Sequence, residues 1–118
     1  MRLLSVMDPM STVHPDKDST FMMLLEGGRR GYECFYCLIG DLFVEDGRPR
    51  ARVRPVSVHR PDPTIPGDGF YEEGEPELVW LDELDVILMR KDPPFDRAFL
   101  FATYILDLAV GKALVVND

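Results

Sequence analysis

The chain has 118 residues, a hydrophobic fraction of 46% and a net charge of −8 from 13 basic and 21 acidic residues. This composition fits one folded domain and excludes a disordered chain, and its acidity disfavours general binding to nucleic acid. No apolar run approaches the roughly 20 residues that a membrane-spanning helix needs. With two cysteines and no secretion signal, the expected compartment is a reducing cytoplasm.

The first third of the chain predicts a strand and then a helix. Residues 3–7 form a short apolar run, typical of a buried strand. Asp18 or Ser19 is suited to cap the helix that follows. Gly27 and Gly28 each weaken such a helix by about 1 kcal/mol relative to alanine, a cost that close packing would explain.

The middle of the chain predicts a second strand and a hairpin. Residues 32–39 form the strand, and residues 42–45 and 50–58 flank an Asp-Gly turn of the hairpin type. Residues 60–76 are polar and rich in proline, which predicts a loop.

The last third predicts a strand, a helix and a final strand. Residues 78–81 are expected to form a brief turn or helix, and residues 84–89 are the clearest buried strand. Asp92 is placed to cap the second helix, with Pro94 at its first position. Residues 113–116 predict the last strand.

This order of elements predicts an α/β fold for one domain over residues 1–118. Short apolar strands that alternate with helices favour a mainly parallel sheet with helices on both faces, in three layers, plus the β-hairpin. In such sheets ligands bind beyond the carboxyl ends of the strands. The loops after Met7 and Met89 are therefore the candidate binding loops.

The loop after Met89 carries the stronger chemical signal. Arg90, Lys91 and Asp92 leave a buried strand and precede a helix N-terminus, which suits an anionic ligand. A guanidinium such as that of Arg90 can hold a carboxylate or phosphate in a two-pronged contact. An ordinary exposed loop, with Arg90 paired to a neighbouring acid, is an equally weighted alternative.

The loop after Met7 is the second candidate. Asp8 follows the first strand, and Asp18 and Ser19 open the first helix. No glycine-rich phosphate-binding motif is present. Turn residues and a helix cap are therefore the favoured interpretation of these positions.

Three other patterns favour structural roles. Cys34 and Cys37 lie three apart in a strand, so their thiols are expected on opposite faces and not as a redox or zinc pair. Four alternating arginines of the hairpin favour a solvated face balanced by nearby acids over an anion-binding or subunit-contact face. They are Arg48, Arg50, Arg52 and Arg54. His14 and His59 are expected to be exposed polar residues.

The aromatic residues of the second predicted helix cover more than one of its faces. They are Phe95, Phe99, Phe101 and Tyr104. A helix that is apolar on more than one side is either packed in a core or meets another domain or subunit. Both interpretations stay open.

Several separated motifs together resemble the start of bacterial glutathione synthetase. The most specific is LDVILMRKDPPFD at residues 84–96, and residues 60–81 are the divergent part. The other motifs stand at residues 6–9, 17–26, 29–33, 40–42, 102–106 and 115–117. The resemblance extends over the whole chain.

The resemblance implies a Rossmann-like domain that precedes the ATP-grasp domains of a ligase. In that family ATP phosphorylates the cysteinyl carboxylate of γ-glutamylcysteine, and the amine of glycine attacks the acyl phosphate to give glutathione, ADP and phosphate. ATP and Mg²⁺ would be bound by central and C-terminal domains that follow this chain. The fragment alone would hold no cofactor and be inactive, and the full-length protein would be a homo-oligomer.

The resemblance also implies roles for the two candidate loops. Arg90 becomes the first candidate for catalysis, as a charge that steadies the peptide carboxylate or the developing acyl phosphate. The candidate substrate-binding residues are Asp8, Asp18, Ser19, Lys91 and Asp92. The alternative function is a stand-alone domain of doubly wound fold that binds a small molecule or a partner protein.

Overall fold

The computed structural model describes residues 1–66, 69–90 and 96–117. Within these ranges the chain forms an α/β fold with eight strands and two α-helices. The strands are β1 (Arg2–Val6), β2 (Glu33–Cys37), β3 (Leu42–Glu45), β4 (Arg48–Val58), β5 (Tyr71–Glu73), β6 (Glu77–Trp80), β7 (Val86–Met89) and β8 (Leu114–Asn117). The helices are α1 (Ser19–Arg29) and α2 (Arg97–Asp107), and short 3₁₀ helices cover Met10–Thr12, Ile39–Asp41 and Leu81–Glu83.

The centre of the sheet is parallel. Strand β1 lies between β2 and β7, and β8 pairs with the outer side of β7. Leu4, Val6 and Ile87 are fully buried here, because apolar side chains on both faces of these strands are covered. Phe21 of α1 packs in the cluster on one face, and Phe99 of α2 packs in the cluster on the other.

The other half of the sheet is antiparallel and is organised by the long strand β4. This strand pairs antiparallel with β2, β3, β5 and β6. Its buried positions are Pro49, Ala51, Val53 and then Val56, so the alternation shifts by one residue at Arg54-Pro55. Ala51 and Val53 consequently pack in one core cluster and Val56 in the other. The sheet is mixed, and not mainly parallel as the sequence predicts.

Two short strands correct the interpretation of the region after β4. Residues 60–76 are not loop throughout, because β5 pairs with the last part of β4. The Tyr36 hydroxyl donates a hydrogen bond to Glu73 and holds β5 near the sheet. Residues 78–81 are mostly strand β6, and the 3₁₀ helix Leu81–Glu83 comes after it. Both strands pair with β4, a contact between distant parts of the chain that these short segments do not reveal by themselves.

The predicted hairpin is confirmed as β3 and β4. Its turn residues Asp46 and Gly47 have φ values of 53° and 77°, the left-handed conformation that a tight hairpin turn requires. Beyond this turn, the Cζ atoms of Arg48 and Arg50 lie 4.2 and 4.1 Å from the centroid of the Trp80 ring. Arg48 pairs with Asp82 and Glu83, and Arg50 with Glu45. The prediction that acids balance these arginines is confirmed for both residues.

The two helices start at aspartate caps. The Asp18 side chain accepts a hydrogen bond from the Thr20 N–H, so the predicted cap of α1 is confirmed. For α2 the cap is Asp96, whose Oδ1 accepts from the Phe99 N–H at 2.9 Å. The described helix therefore begins after Asp96, and the predicted start at Pro94 with an Asp92 cap falls on residues outside the described ranges.

Candidate functional site

A cleft of about 440 Å³ opens at the carboxyl ends of β1 and β7. The two strands end side by side, because Val6 pairs with Met89 and the Arg90 N–H donates to the Val6 carbonyl at 2.8 Å. The residues that follow each strand therefore meet beside the start of α1. The lining residues are Met7, Asp8, Thr12, Val13, His14, Lys17, Asp18, Ser19, Thr20 and Arg90.

One wall of the cleft is a tight turn that leads into α1. The N–H groups of Lys17 and Asp18 both donate to the His14 carbonyl, at 3.0 and 2.9 Å. Asp18 Oδ1 then accepts from the Thr20 N–H at 2.7 Å. These hydrogen bonds fix the backbone of the turn and therefore the positions from which its polar side chains line the cleft.

The guanidinium of Arg90 crosses from the end of β7 to the start of α1. Its Nε donates to Thr20 Oγ1 at 3.3 Å, and its Nη2 donates to Ser19 Oγ. Thr20 is buried, with 5% of its surface exposed, whereas Ser19 is exposed. Arg90 is thus held by hydroxyls whose positions are set by the capped helix.

The formal charges of the cleft residues that the structure describes balance. Asp8 and Asp18 are negative and Lys17 and Arg90 are positive, so their formal charges sum to zero. The first turn of α1 contains no acidic side chain. The cleft therefore offers attraction to both signs of charge at close range and has no strong preference for an anion.

Four of the six predicted site residues come together in this cleft. They are Arg90, Asp8, Asp18 and Ser19. Lys91 and Asp92 lie outside the described residues. Whether any of the six contacts a substrate stays a prediction.

Thr20, Lys17 and His14 also line the cleft, although they are not among the six predicted site residues. His14 is exposed as predicted, but it also lines the cleft. Their position just before and within the first turn of α1 was the available signal, because that turn faces the end of β1. No motif marks the individual residues.

The two cysteines do not form a site. Both are buried and unbonded, Cys34 in the cluster under α1 and Cys37 in the cluster under α2. The prediction of opposite faces is confirmed. Burial raises the pKa of the Cys34 thiol, and burial together with the nearby Asp41 raises the pKa of the Cys37 thiol further.

The described residues hold neither a cluster of metal ligands nor a helix able to span a membrane. Residues 1–66, 69–90 and 96–117 contain no group of three or more histidine, cysteine or acidic side chains placed to hold a metal ion. In that part of the chain, neither helix has the length and apolar character needed to cross a membrane.

An α/β sheet with a charged cleft beyond the carboxyl ends of neighbouring strands is the arrangement in which α/β proteins bind small ligands. The fold places the chain among the α/β proteins, and its cleft lies at that end of the sheet. All of residues 1–118 match the family described as "Prokaryotic glutathione synthetase, N-terminal domain". The chain belongs to this family.

Curated relatives agree with the family match. The chain is 50% identical over 119 residues to a glutathione synthetase of Escherichia coli and 47% identical over 118 residues to one of Salmonella typhimurium. It is 44% identical over 118 residues to one of Vibrio parahaemolyticus. Each comparison covers 99% of this chain and 36% of the relative. The chain therefore spans about a third of the length of these proteins.

Proposed function

We propose that this chain acts as the substrate-side N-terminal domain of an enzyme that joins γ-glutamylcysteine to glycine and forms glutathione. The observation that carries the proposal is the match of all 118 residues to this family, together with curated relatives that are named glutathione synthetase. The chemistry is ATP-dependent: the cysteinyl carboxylate is phosphorylated, and the glycine amine displaces phosphate from the acyl phosphate.

We assign ATP and Mg²⁺ to domains of the ATP-grasp type that would follow this chain in the longer protein. The described residues do not fit a metal ion, since no suitable group of ligands lies among them. The sequence segments that line the cleft also contain no phosphate-binding motif. Mg²⁺ therefore has no proposed role in this domain, and the fragment alone is expected to be inactive.

Within the cleft, Arg90 is the proposed catalytic residue. Its guanidinium steadies negative charge, either on a carboxylate of the dipeptide or on the developing acyl phosphate. The hydroxyls of Ser19 and Thr20 hold it in place, which reduces the reorganisation needed when charge develops. Asp8, Asp18 and Ser19 are proposed to contact substrate, as are Lys91 and Asp92 in the segment outside the described residues.

The larger setting is part of the same proposal. We place the fold in the Rossmann-like group that precedes ATP-grasp domains, with the parallel strands β2, β1, β7 and β8 as its common part. A homo-oligomeric cytoplasmic enzyme is the proposed full-length form. The exposed side chains of Leu100, Phe101 and Tyr104 on α2 support a contact with another domain or subunit.

A chimera tests this function. The chain replaces the matching part of the Escherichia coli relative, to which it is 50% identical, and the rest of that protein is kept. We expect glutathione formation that requires γ-glutamylcysteine, glycine and ATP and releases one ADP for each product. The control is the remainder of the Escherichia coli protein without any first domain, which should be inactive.

Two further measurements distinguish a misfolded chimera from a wrong functional assignment of the chain. Circular dichroism and ATP binding report whether the chimera is folded and whether its nucleotide site is intact. A folded chimera that binds ATP and forms no glutathione would contradict the proposal.

A further inference from the structure

We infer that the cleft binds the free α-amino-acid end of the γ-glutamyl group, with Asp18 facing its ammonium and Arg90 its α-carboxylate. This inference rests on the proposed function and names the part of the substrate that this domain recognises. In this arrangement the reacting cysteinyl carboxylate of the substrate lies outside the cleft.

Hydrogen bonds to Thr20 hold Asp18 and Arg90 close to each other. The Thr20 N–H donates to Asp18 at 2.7 Å, and the Thr20 hydroxyl accepts from Arg90 at 3.3 Å. A carboxylate and a guanidinium are thus anchored on two atoms of one buried residue. Their closeness matches a ligand whose ammonium and carboxylate are attached to a single carbon.

The charge balance of the cleft carries the second step. Among the described lining residues, two acidic and two basic side chains cancel, so a doubly charged phosphate group would meet as much repulsion from them as attraction. A zwitterion meets a partner for each of its charges. Asp18 uses Oδ1 to cap α1, and a carboxylate has further acceptor sites for an ammonium.

Reaction chemistry selects which zwitterion binds here. Glycine must present a neutral amine to the acyl phosphate, and a carboxylate beside that nitrogen would favour the protonated form. The α-ammonium of the γ-glutamyl group takes no part in bond formation. It remains protonated throughout, so an acidic partner stabilises it without opposing the reaction.

The test uses the chimera with three dipeptide substrates. They are γ-glutamylcysteine, glutarylcysteine, which lacks the α-amino group, and 4-aminobutyrylcysteine, which lacks the α-carboxylate. The protein variants are Asp18→Asn and Arg90→Gln. Asparagine is also a good helix cap, so Asp18→Asn removes the charge and keeps the start of α1. Asp16→Asn, in the same turn but outside the cleft lining, is the matched control.

We expect each variant to affect the substrates selectively. Asp18→Asn should lower kcat/KM for γ-glutamylcysteine roughly 10- to 100-fold, the size of one charge-assisted hydrogen bond, and barely change it for glutarylcysteine. Arg90→Gln should lower kcat/KM for γ-glutamylcysteine by a similar factor and barely change it for 4-aminobutyrylcysteine, which lacks the α-carboxylate. Asp16→Asn should leave all three substrates unchanged.

Each other outcome has one meaning. An unmodified chimera that is folded and binds ATP but forms no glutathione contradicts the proposed function itself. An active chimera in which Asp18→Asn lowers kcat/KM equally for γ-glutamylcysteine and glutarylcysteine overturns the ammonium assignment. If Arg90→Gln lowers kcat for all three dipeptides alike, Arg90 acts on the acyl phosphate and the carboxylate assignment is wrong.

Discussion

Thr20 connects the cleft to the core of the domain. It is buried beside Phe21, which has no exposed surface, and it contacts both Asp18 and Arg90 through hydrogen bonds. A side chain held in this way loses little further freedom when a ligand binds, which favours affinity. The position of the site chemistry is therefore set by the packing of α1 on the sheet.

At the same scale, the cysteines have no role in the cleft chemistry. Cys34 is 8% exposed and Cys37 is 2% exposed. The nucleophilic form of cysteine is the thiolate, and a raised pKa means that it forms only at higher pH. Both residues should behave as small core side chains.

Thiol labelling checks this expectation. With an aromatic disulfide reagent at pH 8, the folded chain should react roughly 100-fold more slowly than the chain unfolded in guanidinium. Labelling of the folded chain should accelerate as the pH rises. Comparison of Cys34→Ser with Cys37→Ser should show that Cys37 reacts more slowly. Rapid labelling of both thiols in the folded chain at pH 8 would refute their burial.

At the element scale, Gly27 shows how closely α1 approaches the sheet, and its neighbour Gly28 provides the comparison. A Cβ added to Gly27 would lie 3.0 Å from Cys34 Sγ, so the helix is close to β2 at this point. A Cβ added to Gly28 would meet nothing within 4 Å. Close packing therefore accounts for Gly27, and the structure gives no packing reason for Gly28.

Alanine substitutions at the two positions should have different effects. Gly28→Ala should raise the free energy of unfolding by roughly 0.5–1 kcal/mol, because alanine has less freedom to lose on folding. Gly27→Ala should lose that gain to the contact with Cys34. Urea unfolding of both variants measures the difference. Equal stabilisation by the two substitutions would show that α1 does not pack closely at Gly27.

The elements also show how far the sequence predicts the fold. The strands β1 and β7 and the buried face of α2 follow from apolar runs and helical spacing, which are local signals. Strands β5 and β6 depend on pairing with β4, and local patterns do not carry that information. The Asp96 cap was missed because Asp92 and Pro94 form an equally good start signal a few residues earlier.

The candidate site was predicted in part for a similar reason. Arg90 and Asp8 follow buried strands, and the end of a strand is where α/β folds bind ligands. Lys17 and His14 belong to a turn whose shape depends on hydrogen bonds to the His14 carbonyl. The sequence offers no spacing rule for such a turn.

For the whole molecule, we propose that dipeptide binding and nucleotide chemistry belong to different domains. The domain supplies a charge-balanced cleft, and the nucleotide chemistry is proposed for the remaining two thirds of a protein like its relatives. Under this account, a defect in the cleft should impair use of the dipeptide and leave nucleotide binding intact.

Steady-state kinetics of Arg90→Ala in the chimera measure this claim most directly. We predict that kcat/KM for γ-glutamylcysteine falls roughly 100-fold, as when one charge-assisted contact to the substrate is removed, while KM for ATP is unchanged. Arg52→Ala, an exposed arginine of β4 outside the cleft, should leave both values unchanged. If a folded Arg90→Ala chimera uses γ-glutamylcysteine as well as the unmodified chimera does, the cleft is not the substrate side of the enzyme.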